Sequence, residues 1–208
     1  MNILTRTETA DFLKANDRYL ILTHTRPDGD TVGSAAALCL GLRAMGKTAH
    51  VLENKEVTPR YRWLHQGLTV GEAAPGDCVV SVDVASPNML PEDFQPLLGR
   101  IRLRVDHHGS ATSFTDFELV DPDSASCAEI IYDLLTLLGC PLDQKIAEAV
   151  YVGASTDTGC FRYANTTAHT FAAAAACAQA GARIYELNMD LFETNTLARL
   201  KMQGWIVD

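Results

Sequence analysis

Three short strings hold the residues of this sequence best suited to chemistry: His24-Thr-Arg-Pro-Asp28-Gly-Asp30, the single acid of Val-Ser-Val-Asp83-Val, and Asp106-His107-His108. Carboxylates and imidazoles are donors that divalent cations take readily. Each string follows a run of β-branched or aliphatic residues, at 19–23, 78–82 and 101–105. Ligands of an α/β sheet collect beyond the carboxyl ends of its parallel strands. Three acid and imidazole clusters at three strand ends are therefore expected to converge as a binuclear metal site, although they are far apart in sequence.

Each string has its own logic and its own competitor. In the first, Asp28 can face one metal and Asp30 its neighbour, while Gly29 and Gly33 let the backbone turn tightly beside ligand oxygens. The start of the following helix adds partial positive charge suited to a phosphate. The plainer reading is an Asp-Gly turn followed by an N-cap. Asp83 is the one charged residue of its apolar strand, and a buried carboxylate without partners is costly. A bridge between metals resolves that cost; capping of the Ser86-Pro87 turn is the alternative. In the third string one histidine can coordinate metal while an acid orients its ring, and the other can contact a phosphate or the leaving oxygen.

A fourth string, Ala154-Ser-Thr-Asp157-Thr-Gly-Cys-Phe-Arg162, places an acid at the end of a helical segment. Asp157 can complete a second metal's shell, or be a surface acid at a helix end. Arg162 can pair with a phosphate through two parallel hydrogen bonds. His50, His65 and His169 stand outside any cluster and are expected to be structural or solvent-exposed. Arg100, Arg102 and Arg104 alternate with Ile101, Leu103 and Val105, which predicts a half-exposed strand and not a nucleic-acid patch.

The elements that must position these residues alternate between helical and strand patterns, the signature of a parallel sheet covered by helices. The expected order is a helix at 8–15, a strand at 19–23, a long helix of small residues at 31–45, a strand at 49–52, a short helix at 60–66, and strands at 78–83 and 101–105. Beyond Asp106 the apolar spacing becomes helical, with helices expected at 127–138, 143–156, 167–180 and 184–192 and a last one from about Asn195. The fold class is α/β, a parallel β-sheet flanked by helices with a more helical C-terminal part.

A chain of 208 residues with 47% hydrophobic composition can bury a substantial core. Its formal net charge of -9 argues against long nucleic acid on a broad basic surface. Bound divalent cations can still supply positive charge for a short phosphorylated ligand. The first dozen residues mix charges and lack a signal peptide's apolar stretch. The most apolar later stretch, 171–180, falls short of the ~20 residues a bilayer requires. No membrane association and a cytoplasmic location are expected. The six cysteines show no CxxC spacing and are read as reduced thiols, mostly buried.

With these residues in view, the chain resembles the DHH phosphoesterases. Its HTRPDGDTVGS, SVDVAS, VDHHGS and GASTDTGCFRY strings are most similar to the branch of bacterial short-oligoribonucleotide hydrolases, the nano-RNases, that also remove phosphate from 3'-phosphoadenosine 5'-phosphate. The similarity runs from about residue 20 to the end. The resemblance implies that His24, Asp28 and Asp83 hold one Mn²⁺ while Asp30, Asp83, His107 and Asp157 hold another, with Asp83 bridging and Mg²⁺ or Co²⁺ as substitutes. It implies that His108 touches the scissile phosphate and that Asp106 supports the site from behind. It further implies a catalytic domain over 1–190, with 191–208 beginning a helix towards a C-terminal domain whose glycine-rich motif, ending in His, grips the nucleotide; no Gly-Gly-Gly-His string occurs in these residues.

The expected activity is metal-dependent hydrolysis of short oligonucleotides, pApA-like dinucleotides or 3'-phosphoadenosine 5'-phosphate by in-line attack of a metal-held hydroxide. The expected partner is such a nucleotide or nucleoside bisphosphate, and a homodimer is left open. Two alternatives share the ligand logic: an inorganic pyrophosphatase, and a non-catalytic module that senses a dinucleotide.

Overall fold

Runs of aliphatic and β-branched residues become the strands, and in the computed structural model, which describes residues 2–109, 113–195 and 197–207, they form one parallel sheet. Its strands are β1 (Asn2–Ile3), β2 (Tyr19–Leu22), β3 (Ala49–Leu52), β4 (Thr69–Val70), β5 (Cys78–Val82), β6 (Ile101–Asp106) and β7 (Phe117–Val120). They lie in the order β1-β7-β6-β5-β2-β3-β4, every neighbouring pair parallel. The helices are α1 (Arg6–Ala15), α2 (Gly29–Ala44), α3 (Cys127–Leu137), α4 (Gln144–Asp157), α5 (Ala168–Gln179), α6 (Ile184–Asn188), which runs into a π turn at Met189–Glu193, and α7 (Leu197–Val207).

The sheet is buried on both faces, as all-parallel sheets are. In β2, Tyr19 and Ile21 join the core beneath α2, α3 and α4, while Leu20 and Leu22 pack with Leu90, just after one 3₁₀ segment, and Phe94, within another, on the other side. The chain winds outwards from the middle in two directions, β2 to β3 to β4 one way and β5 to β6 to β7 the other. The switch falls between β2 and β5, where adjacent strands send their connections apart and leave a crevice at their carboxyl ends. His24 and Asp83 follow those two ends.

Three strands differ from expectation. β1 and β4 have two residues each, too few for a periodic signal. β7 was hidden because Glu118 breaks its apolar run, so the pattern beyond Asp106 does not turn helical at once. The half-exposed reading of β6 also needs correction. Arg102 is exposed, but Arg104 is 1% exposed. Arg104 sits opposite Glu118 in the β6–β7 register and pairs with it at 2.8 Å, its guanidinium 5.1 Å from the Phe114 ring centre. The sequence pattern recorded a charge and could not record its buried partner. The other helices lie within two residues or so of expectation. Thr196 and Asp208, within the 191–208 stretch, lie outside the described residues, as does Ser110 of the VDHHGS string.

Two helices carry site residues at their ends and must cross closely to bring them together: α2 begins beside Asp28 and Asp30, and α4 ends on Asp157. Gly33 makes the crossing fit, because a Cβ there would stand 2.4 Å from the Ala149 carbonyl oxygen. Alanine in a helix interior is ordinarily about 1 kcal/mol better than glycine. Here the clash is with backbone, which cannot rotate away, and overpacking of this kind costs about 1–3 kcal/mol. Gly33→Ala is thus expected to destabilise the protein in urea unfolding; equal or greater stability would refute the tight crossing.

All six cysteines are free, four of them buried. Among the described residues no helix is long and apolar enough to cross a membrane.

Candidate functional site

At the end of β2 the chain enters a pinned turn. Thr25 Oγ1 and the Arg26 amide both donate to Glu56 Oε2, and Arg26 is held at φ 48°. The His24 Nδ1 lies 2.7 Å from the Thr25 carbonyl, so it carries the proton. That leaves Nε2 facing Asp83 Oδ2 at 3.5 Å and Asp28 Oδ1 at 3.7 Å.

Asp28 is placed where both of its candidate roles are open to it. Its Oδ1 accepts from the amides of Asp30 and Thr31 and so caps α2, while its side chain, 56% exposed, belongs to the same group as His24. Asp30, two residues further on, is buried. Its two oxygens accept from the first two amides of α3, Cys127 at 2.7 Å and Ala128 at 2.8 Å. A helix N-terminus here holds a side-chain anion in the way such termini hold phosphate.

Asp83 adopts φ 57° just after β5 and is 2% exposed. Its Oδ1 is buried without a hydrogen-bond partner among the described residues, 3.7 Å from His107 Nε2 and 3.5 Å from His108 Nδ1. No hydrogen bond of the Ser86-Pro87 turn involves it, so the turn-capping alternative fails. Asp106, fully buried at the end of β6, uses Oδ1 to accept from the amides of His107 and His108 and from His108 Nδ1 at 2.8 Å. Thus Asp106 orients His108. His107 turns the other way: its Nδ1 meets the Ser124 carbonyl at 3.3 Å, and its Nε2 faces Asp157 Oδ2 at 3.4 Å and Asp30 Oδ2 at 3.8 Å.

Three overlapping groups result, each with one donor atom per residue within 4.8 Å of the others: His24, Asp28 and Asp83; Asp30, His107 and Asp157; and Asp83, His107 and His108. The structure therefore brings together all six residues assigned to metal, with Asp83 between the halves. Arg162 is not among them. It is exposed, and its Nε donates to the Gly159 carbonyl.

The electrostatics report crowding. Burial, with the neighbouring Asp83 and Asp157 charges, raises the Asp30 carboxyl well above the usual range. Burial also raises Asp83, and Asp157 is pushed up to about 6. Burial alone would lower the His24 imidazole, but its hydrogen bonds with Asp28 and Asp83 push it up to about 10. Carboxylates this close together, two imidazole Nε2 atoms aimed among them and a buried oxygen with no donor among the described residues form a donor set that divalent cations would satisfy, displacing the proton His24 holds. These residues fit a pair of such ions.

Several supports have no signature in the sequence. The Ser124 carbonyl and the α3 amides are backbone groups. Asn54 donates to the His24 carbonyl and Thr23 Oγ1, and Asn165 ties the Asp157 carbonyl to that of Ala125. An isolated asparagine in a loop gives no signal for such a role.

The model of the DHH family, N-terminal domain, matches residues 18–154. The chain is 35% identical over 181 residues to the bifunctional oligoribonuclease and PAP phosphatase NrnA of Thermus thermophilus, covering 86% of this chain and 55% of that one. It is 29% identical to the protein of the same name from Bacillus subtilis, covering 97% and 65%. The chain thus spans between half and two thirds of the length of these curated relatives. Among solved structures, an exopolyphosphatase-related protein from Bacteroides fragilis superposes with a TM-score of 0.80 at 21% identity, over 97% of this chain and 64% of that one. A putative family II inorganic pyrophosphatase from Methanococcus jannaschii gives 0.63 at 22% identity, over 83% and 59%.

Proposed function

The chain belongs to the DHH family, and from that premise we propose that it is a phosphoesterase that uses two divalent ions, Mn²⁺ in the first instance, to hydrolyse short oligonucleotides or dinucleotides and 3'-phosphoadenosine 5'-phosphate. The observation that carries this reading is the Asp83 carboxylate, buried and lacking a donor for Oδ1, between His24 on one side and His107 on the other. His24, Asp28 and Asp83 would hold one ion, and Asp30, Asp83, His107 and Asp157 the other. When bound, the ions lower the pKa of water and neutralise charge on the nonbridging phosphate oxygens.

The chain's own groups do the rest. The Thr25 and Ser124 carbonyls fix the tautomers of His24 and His107 so that both Nε2 atoms face the acids. His108 is set apart by its Nδ1 bond to Asp106, which raises its pKa and favours the doubly protonated ring. Its Nε2–H can then donate to a phosphate oxygen or protonate the departing oxygen. Arg162 is proposed as a phosphate contact; its exposed guanidinium would use the donors that Gly159 leaves over. Residues 1–190 are proposed as the catalytic domain, with 191–208 leading out of it; Leu197, Leu200, Met202 and Trp205 in that stretch are exposed.

The test is a substrate panel of pApA, 3'-phosphoadenosine 5'-phosphate, cyclic di-AMP and pyrophosphate, each with Mn²⁺, Mg²⁺, Co²⁺ or chelator. Hydrolysis of the first two with Mn²⁺ and none with chelator is expected. Faster turnover of pyrophosphate than of pApA would make the chain a pyrophosphatase. Tight dinucleotide binding without turnover in any metal would make it a sensing module.

A further inference from the structure

This acidic chain carries 26 Asp and Glu against 17 Lys and Arg, yet one region inverts the ratio. Three cavities of about 630, 710 and 240 Å³ open side by side on the β3–β4 side of the molecule, and Trp63 lines all three. Its side chain is partly exposed, at 40% for the residue. The cavity walls include six cations, Lys55, Arg62, Arg43, Lys145, Arg183 and Arg60, against the carboxylates of Glu53, Glu148 and Asp190.

Three of these cations are fixed by neutral acceptors. Arg43 donates to the Ala49 and Gly67 carbonyls, Arg60 to those of Leu191 and Thr194, and Arg62 to that of Val57. Their positions are set while their charge is not cancelled by those partners. Lys55 and Arg183, by contrast, pair with Asp93 and Glu148. The first cavity lies next to the β2 end of the site already described: Asn54, which lines it, donates to the His24 carbonyl at 2.9 Å.

We propose that this furrow is a subsite for the part of a single-stranded oligonucleotide that extends beyond the scissile bond, with a base stacked on Trp63 and phosphates facing Arg43, Arg60 and Arg62. An exposed aromatic among fixed cations is how proteins hold single strands without reading sequence, since every base offers a π face. The inference rests on the phosphoesterase reading for its effect on turnover, but not for binding.

The sequence has two tryptophans, and Trp205 is 78% exposed in α7. A Trp205→Phe protein therefore reports on Trp63 alone. In chelator, 5'-phosphorylated oligoadenylates of increasing length should quench its fluorescence saturably, and the affinity should fall with salt. Arg60→Glu with Arg62→Glu should make the salt dependence shallower by about 0.7 for each phosphate no longer neutralised. With Mn²⁺, Trp63→Leu should lower the ratio of kcat/KM for a longer oligonucleotide to that for pApA by about tenfold, the effect of losing one stacked base. Trp63→Phe, which keeps an aromatic face, should restore most of it. Absence of quenching at every length, or an unchanged ratio in Trp63→Leu, would overturn the subsite. Quenching without hydrolysis of any substrate would instead refute the enzymatic reading and leave the subsite standing.

Discussion

Asp83→Asn is expected to abolish metal-dependent hydrolysis and to lower Mn²⁺ binding from two ions to one or none, because the carboxylate proposed to bridge the two halves of the site becomes a neutral amide. Asparagine is the informative substitution, since Asp83 stands at φ 57° and asparagine tolerates that left-handed conformation. Asp83→Ala should lose activity equally, with an added backbone cost of up to about 1–2 kcal/mol because alanine lacks the short polar side chain that eases the left-handed conformation. Without metal the asparagine variant should be the more stable protein in urea unfolding. Asp83 Oδ1 is buried without a donor among the described residues and stands among the Asp28, Asp30 and Asp157 carboxylates, and a buried polar atom left unsatisfied costs about 1–3 kcal/mol. Loss of activity with a folded, stabilised apo protein would separate the site from the scaffold. Turnover near that of the parent would refute the binuclear assignment.

His108→Ala should leave both ions in place and lower kcat by about 10²–10⁴, the usual contribution of a positioned acid or base. The two adjacent histidines are distinguished by what holds their Nδ1 atoms. A backbone carbonyl fixes His107 with Nε2 among three acids, whereas a carboxylate fixes His108 with its other nitrogen left over. Metal analysis of the folded variant decides between them. An ion lost from His108→Ala would mean that the roles of His107 and His108 are reversed. Substrate binding should suffer less than turnover if His108 acts chiefly as the transition state develops.

The residues of the site were legible in the sequence because each of the first three strings follows a hydrophobic run that could only be a strand, and because strand ends in a parallel sheet share one edge. Asp83 was legible for a further reason: a lone acid in an apolar strand must have a use. The order of the strands was not legible, and it is the order that places β2 beside β5 and makes their ends a crevice. Arg104 was misread because alternation records polarity and not pairing. A charge opposite Glu118 in an adjacent strand is buried and matched, and only the register shows that.

By itself the sequence determined the chemistry on offer: which residues can take a divalent ion, and that they sit at the ends of strands and helices of an α/β fold. The tertiary structure decided which donor atoms face one another. Gly33 lets α2 and α4 cross against bare backbone, so that Asp30 and Asp157 converge on His107. The first amides of α3 arrive from nearly 100 residues away to hold Asp30. Carbonyls of Thr25 and Ser124 choose the histidine tautomers. These decisions belong to backbone amides, carbonyls and helix crossings, which every residue or none can supply, so the sequence carries no separate mark of them.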